Sequence, residues 1–285
     1  MVAAAFFFSV MSALVKLVSA HVPASHTVFA RSLVGLVLSL AMLRRARIPA
    51  LGVRRGLLVL RGLLGFIALD CYFYALSVLP IADATVIQYT NPIWTALLAG
   101  LILGERVTPR LVLASAAALV GVALVARPAF LFGASADALP TLPVLIGLVG
   151  ALTSAGAYVT VRALRATDDP LVIVLYFPLI ATPASVPALV PDATWPAPLD
   201  LLLLLGIGVT VQVAQVFMTR GLHLETAGRA TTMSYVQVAF AWVWGLALFD
   251  ESPTLGGLLG AGLVVAAALA VALPGQKRTT PAHPP

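Results

Sequence analysis

Charge is scarce in this sequence. Only 10% of its 285 residues are Asp, Glu, Lys or Arg, 61% are hydrophobic, and the mean hydropathy is +1.04. Soluble domains carry about 25% charged residues, so an ordinary water-soluble fold is excluded. Cysteine is nearly absent, and Cys71 alone excludes an intramolecular disulfide and any cysteine-rich metal centre. The histidines His21, His26, His223 and His283 fall at helix ends or in loops, and no H-E-x-x-H signature for zinc exists. A G-x-S-G element with a membrane histidine is missing, as is a pair of membrane aspartates with G-x-G-D. The sequence therefore offers no metal site, no cofactor motif and no carrier for an intramembrane enzyme. A basic region ahead of the first apolar run is lacking too, so residues 1–20 read as a retained helix rather than a cleaved signal peptide.

What is present is apolar length. A spanning helix needs roughly 18 to 25 apolar residues, and ten such runs occur near 3–20, 24–43, 56–78, 82–103, 110–126, 142–163, 170–190, 199–222, 226–249 and 254–273. The expected fold is an all-α integral membrane protein of ten transmembrane helices. Residues 1–126 form a first five-helix unit, 127–141 a connecting loop, 142–273 a second unit and 274–285 a disordered polar tail.

The net charge of +6 and pI near 10.0 would indicate a nucleic-acid partner in a soluble protein. Here the basic residues cluster in short loops and report topology instead. With the N-terminus inside, thirteen Lys and Arg residues lie at the inner ends of the helices and only Arg127 at an outer end, so both termini are expected in the cytoplasm. The protein is read as a multi-pass component of the cell inner membrane, a monomer or homodimer, with no nucleic-acid partner.

The chain echoes itself at an offset of 146 residues. Ala84, Thr85, Tyr89 and Glu105 recur as Ala230, Thr231, Tyr235 and Glu251, and Gln237 answers Asn91. Five helices per unit place the second copy upside down relative to the first, an inverted repeat of the kind many secondary transporters use, with substrate held near the midplane between the copies. Projected at 100° per residue, Gln88, Tyr89, Asn91, Pro92 and Thr95 share one arc, and Thr231, Ser234, Tyr235 and Gln237 occupy the matching angles of the ninth helix. The two arcs are expected to line one substrate cavity, joined by Tyr74 and Gln212. Hydrogen bonding between helices is the competing use for such residues. Pro92 lacks an N–H, so it leaves the Gln88 carbonyl without its helical partner and is a candidate hinge. Glu105 and Glu251 mark helix ends as gates or caps.

Lys16, Arg31 and Asp70 lie inside spans at one depth, on the outer side of the cavity. Two readings fit this charged layer. Asp70 neutralises Arg31 or Lys16 within the bundle, or the surplus cation attracts an anionic substrate while Asp70 carries a proton. Arg61, close to the inner end of its helix, is read as a snorkelling anchor.

The segments YALSVLPIADATVIQYTNPIWTALLAGLILGE (74–105) and RATTMSYVQVAFAWVWGLALFDE (229–251), with Arg31 in VFARSLVGLVL, are similar to those of EamA-type members of the drug/metabolite transporter (DMT) superfamily. The resemblance implies export or import of amino acids, nucleobases, nucleotide derivatives or organic acids, by proton coupling or exchange, from a cavity between two repeats. A subgroup that exports aromatic amino acids has an aromatic residue where this chain has Asn91, which points to a more polar substrate here. The expected function is secondary active transport of a small polar metabolite, such as an amino acid, organic anion or nucleobase derivative, by alternating access. A channel-like or facilitative pore is the alternative.

Overall fold

The computed structural model describes residues 1–79, 81–127, 131, 140–192, 196–249 and 254–272. Among them are twelve α-helices: α1 Val2–Val18, α2 Ala24–Ala46, α3 Arg55–Val78, α4 Ile81–Gln88, α5 Asn91–Leu103, α6 Pro109–Ala126, α7 Thr141–Leu164, α8 Pro170–Ser185, α9 Pro198–Leu224, α10 Ala227–Met233, α11 Val236–Leu248 and α12 Leu255–Ala272. No β-strand occurs among the described residues. Eight stretches are long and apolar enough to cross a membrane, including the α4–α5 pair as Asp83–Leu103, and α1 is a shorter apolar helix. The ninth run expected from sequence is divided into α10 and α11, neither long enough to cross alone. The tail 274–285 and Glu251 lie outside the described residues.

Local chemistry sets the helix ends. Proline opens α6, α8 and α9, where its missing N–H costs nothing. The Thr108 hydroxyl accepts from Leu111 N at 3.3 Å, and the Asp169 carboxylate from Leu171 N at 2.8 Å, capping α6 and α8. Gly104 closes α5 with φ +66, a left-handed turn that suits glycine.

The helices of one half pack mainly on those of the other: α1 on α9, α2 on α8, α3 on α7, α5 on α10 and α6 on α12. Exchanging the halves turns α1–α9 into α7–α3 and returns α2–α8 and α6–α12 to themselves, whereas the image of α5–α10, which is α4–α11, is not among the main pairs. Small residues permit the close approach. A side chain at Gly260 would meet the Gly121 carbonyl oxygen at 2.5 Å, and one at Gly121 would meet the Gly260 oxygen at 2.7 Å, so α6 and α12 touch backbone to backbone. One turn earlier, a side chain at Gly256 would meet the Leu124 carbonyl oxygen at 3.4 Å, so both glycines of this small-residue stripe, Gly256 and Gly260, serve packing inside the bundle.

The arginine-rich end is tied across the halves. The Asp168 carboxylate accepts from the backbone N–H groups of Val53 (2.6 Å) and Arg54 (3.3 Å), and the Tyr176 hydroxyl donates to the Leu51 carbonyl at 2.8 Å. These bonds hold the α2–α3 connection against α7 and α8.

Candidate substrate site

The fourth and ninth runs are both broken near their middles. The chain departs from α-helical bonding at Tyr89 and Thr90, and again at Ser234 and Tyr235. At both places i→i−3 bonds replace the regular ladder: Thr90 N to Ile87 O (3.1 Å), Ser234 N to Thr231 O (3.0 Å) and Tyr235 N to Thr232 O (3.3 Å). Thr90 and Ser234 keep right-handed helical angles, so each break is a kink rather than an unwound loop. Pro92 accounts for the first. The second has no proline; hydroxyls of Thr231, Thr232 and Ser234 bond back to carbonyls one turn earlier, a pattern that bends helices. The signal for it was the TTMS run, read from sequence only as polar lining.

The kinks bring Tyr89 and Tyr235 together. Their rings stack with centroids 5.8 Å apart at 25°, and the Tyr235 hydroxyl donates to the Tyr89 carbonyl at 2.8 Å. In an unbroken helix that carbonyl would take the N–H of Ile93, which turns instead to Thr90 O at 3.0 Å. The carbonyl engaged across the halves is therefore that of Tyr89, whereas the proline argument had singled out Gln88. Gln88, Tyr89, Ser234 and Gln237 are half-buried, and Asn91 and Tyr235 are buried. The arc drawn along one straight helix holds only within each half of the kinked pair. The side-chain oxygens Gln88 Oε1 and Asn91 Oδ1 are buried without a hydrogen-bond partner.

On α3 the expected face is reversed. Tyr74 is 40% exposed, and Asp70 and Ser77 lie on the same outward stripe. Tyr72 turns inward, where it hydrogen-bonds Thr85 and comes within electrostatic reach of Tyr89. Neither Asp70 nor Tyr74 lines the interior, and the charged layer does not assemble. Lys16 sits 4.1 Å over the Phe249 ring, while Arg31 reaches a different neighbourhood. A membrane helix apolar on all sides gives no amphipathic cue to its buried face. Asp83, in the first turn of α4, is fully inaccessible with both oxygens unpartnered.

Arg61 does not snorkel. It is buried, with its guanidinium 5.7 Å from the Phe177 ring centroid, and Arg31, also buried, lies 5.9 Å from the same ring. The two start from opposite ends of the bundle, Arg31 about 10 Å along α2 and Arg61 about 9 Å along α3 at 1.5 Å per residue. Arg61 Nη2 donates to Gln215 Oε1 at 3.3 Å, and Gln212 Nε2 donates to Ser39 Oγ at 2.8 Å. Gly65 makes room for this arrangement: a Cβ there would lie 2.6 Å from Arg61 Nη1 and 2.9 Å from Phe177 Cδ2. Arg31, Gly35, Phe177, Gln212 and Gln215 border a cavity of about 10 Å³, room for a single water. Tyr158, within electrostatic reach of both Arg61 and Tyr89, links this cluster to the tyrosine pair. Sequence reasoning missed Arg61 and Phe177 as neighbours of Arg31, and Tyr158 beside Arg61, because their helices are distant in the chain.

A larger opening of about 480 Å³ lies between α2 and α9 among Phe29, Leu33, Val34, Leu201, Leu204 and Leu205. Leu33, Leu201 and Leu205 are exposed there, so it is an apolar groove on the outside of the bundle and not a polar binding site.

At the arginine-rich end, Glu105 joins three elements. Its Oε1 pairs with Arg162 Nε at 2.7 Å, and its Oε2 accepts from the Ala227 N–H at 2.7 Å, at the start of α10. Arg162 Nη1 donates in turn to the carbonyls of Leu222 (3.0 Å) and His223 (2.9 Å) at the end of α9. One carboxylate and one guanidinium thus cap two helix ends with the charges each end favours.

The profile of the EamA-like transporter family matches residues 1–127 and 141–273. The chain belongs to that family. This EamA-like protein is 34% identical over 271 residues to the pseudopaline exporter CntI of Pseudomonas aeruginosa, covering 95% of the chain and 93% of the relative. It is 31% identical over 229 residues to human solute carrier family 35 member G1, covering 77% of the chain and 63% of that relative. One solved crystal structure superposes with a TM-score of 0.78 at 20% identity, over 95% of this chain and 96% of the other, a likeness of fold. The EamA-like chain is accordingly a multi-pass membrane transporter.

Proposed function

We propose that this protein is a secondary active transporter that moves a small polar metabolite, an amino acid, organic anion or nucleobase derivative, across the cell inner membrane by alternating access. Ten spans form two inverted five-helix repeats, with both termini and the arginine-rich end in the cytoplasm. The observation that carries this reading is the pair of matched kinks at Tyr89 and Tyr235, one in each half, joined by a ring stack and a hydroxyl-to-carbonyl bond. Helices broken near the bilayer midplane and related by a repeat are where such transporters hold substrate. The packing pairs that survive exchange of the halves support the same symmetry.

In this reading Gln88, Tyr89, Asn91, Ser234 and Gln237 contact substrate as the kinks flex, Pro92 is the hinge, and Glu105 with Arg162 closes the cytoplasmic end. The relative named as an exporter favours outward movement. Coupling is to protons or to a counter-substrate. Flux into proteoliposomes tests this: it is expected to saturate, and to fall severalfold or more in Tyr89→Ala, Asn91→Ala and Tyr235→Ala variants that elute as folded protein. Unchanged flux in all three removes the tyrosine centre from the mechanism. A facilitative pore is recognised by flux that rises linearly with concentration.

A further inference from the structure

Two arginines buried against one phenylalanine ask for an anion. Arg31 is 9% and Arg61 2% exposed, and the Nε of each is buried without a hydrogen-bond partner. The ion pairs among the described residues are Arg162–Glu105, Arg229–Glu225 and the His21–Asp200 contact, and none includes either arginine. Both guanidiniums sit over the ring of Phe177, so they are separated by no more than the two ring distances together. Cation–π contact offsets only part of what burying an ion costs. The Arg61–Gln215 bond is long at 3.3 Å and neutralises nothing.

The rest of the cluster is suited to a ligand. The amides of Gln212 and Gln215 offer both donors and acceptors, Gly35 leaves its part of the cavity wall free of a side chain, and Gly65 leaves room for Arg61 against the Phe177 ring. A planar guanidinium binds an oxyanion through two parallel N–H bonds. The cluster also adjoins the tyrosine centre through Tyr158. At about 10 Å³ the cavity holds no more than a water, so a ligand enters only after the helices around it move.

We propose that Arg31 and Arg61, with Gln212 and Gln215, bind an oxyanion group of the transported molecule, making the substrate an organic anion. The proposal rests on the transport reading for what happens to the ligand, but not for the site itself. A carboxylate and a phosphate share the required chemistry. The test therefore measures thermal shifts of the purified full-length protein with acetate, succinate, citrate and inorganic phosphate, with succinamide as the uncharged counterpart of succinate.

At least one anion is expected to raise Tm in a concentration-dependent way while succinamide does not, and the ranking of carboxylates against phosphate names the source. Arg31→Gln and Arg61→Gln are each expected to weaken that binding by about tenfold or more, whereas Arg45→Gln at the helix end leaves it unchanged. Arg31→Lys and Arg61→Lys keep the charge without the planar fork and carry the test if the glutamine variants do not fold, with binding again expected to weaken. Undiminished binding in every folded variant, or no shift with any anion, overturns the proposal. Saturable flux of a neutral or cationic metabolite that survives both substitutions overturns it while the transport reading stands. Anion binding lost in both variants without flux of any metabolite leaves the site standing and overturns the transport reading.

Discussion

The hydroxyl of Tyr235 donates to the carbonyl of Tyr89, the residue 146 positions earlier that matches it in the other half of the chain. The kinks at Tyr89–Thr90 and Ser234–Tyr235 therefore meet through this pair, each leaning on the other.

Tyr235→Phe removes the hydroxyl and keeps the ring stack. Hydrogen bonds inside membrane bundles contribute about 0.6 kcal/mol on average and under about 2 at most. A Tm drop of a few degrees is expected in detergent or nanodiscs, with a larger loss of flux than of stability. A collapse of stability would mean that the bond holds the fold rather than tuning the kink.

The pair of Glu105 and Arg162 is mostly buried and capped on both sides. Removing one partner of such a pair costs about 3 to 5 kcal/mol, so Glu105→Ala and Arg162→Ala are each expected to lower Tm markedly. Because they share partners, the double variant should lose much less than the two singles together. Additive losses in thermal unfolding would contradict the coupling.

Two aspartates are expected to part ways. Asp70 lies on the outward stripe of α3, away from the interior, so Asp70→Asn should spare flux driven by a pH gradient. Asp83 is buried with both oxygens unpartnered, so Asp83→Asn removes an uncompensated carboxylate and should hold or raise Tm. A marked loss of pH-driven flux in Asp70→Asn would restore the role that its place in the span first indicated.

Gly121 and Gly260 are in backbone contact. Gly260→Ala places a methyl 2.5 Å from the Gly121 carbonyl oxygen, and such overpacking costs about 1 to 3 kcal/mol or more. Gly262, with open space where its Cβ would stand, is the control. Its alanine variant should leave Tm near that of the unchanged protein.

The all-helical membrane fold was legible in the sequence, because membrane helices announce themselves by apolar length. The partnership of Tyr89 with Tyr235 follows from the offset of 146 residues. The face of α3 did not follow, since lipid and protein interior are both apolar and nothing in the sequence tells Tyr72 from Tyr74. Arg61 was misplaced for another reason. Its long side chain can run to the helix end or toward the interior, and only the position of Phe177 on α8 decides between them. The kink at Ser234 escaped notice because serine and threonine bend a helix without the obvious mark that Pro92 leaves in its partner.

In the proposed mechanism two repeats move about a shared centre to expose one site alternately to each side. Counterflow measures this most directly: proteoliposomes are loaded with unlabelled metabolites, and transient uptake of a labelled one is followed against its own gradient. Saturable uptake is expected, accelerated by the internal substrate and lost in Tyr89→Ala. Uptake that is linear in concentration and indifferent to internal substrate would contradict this mechanism.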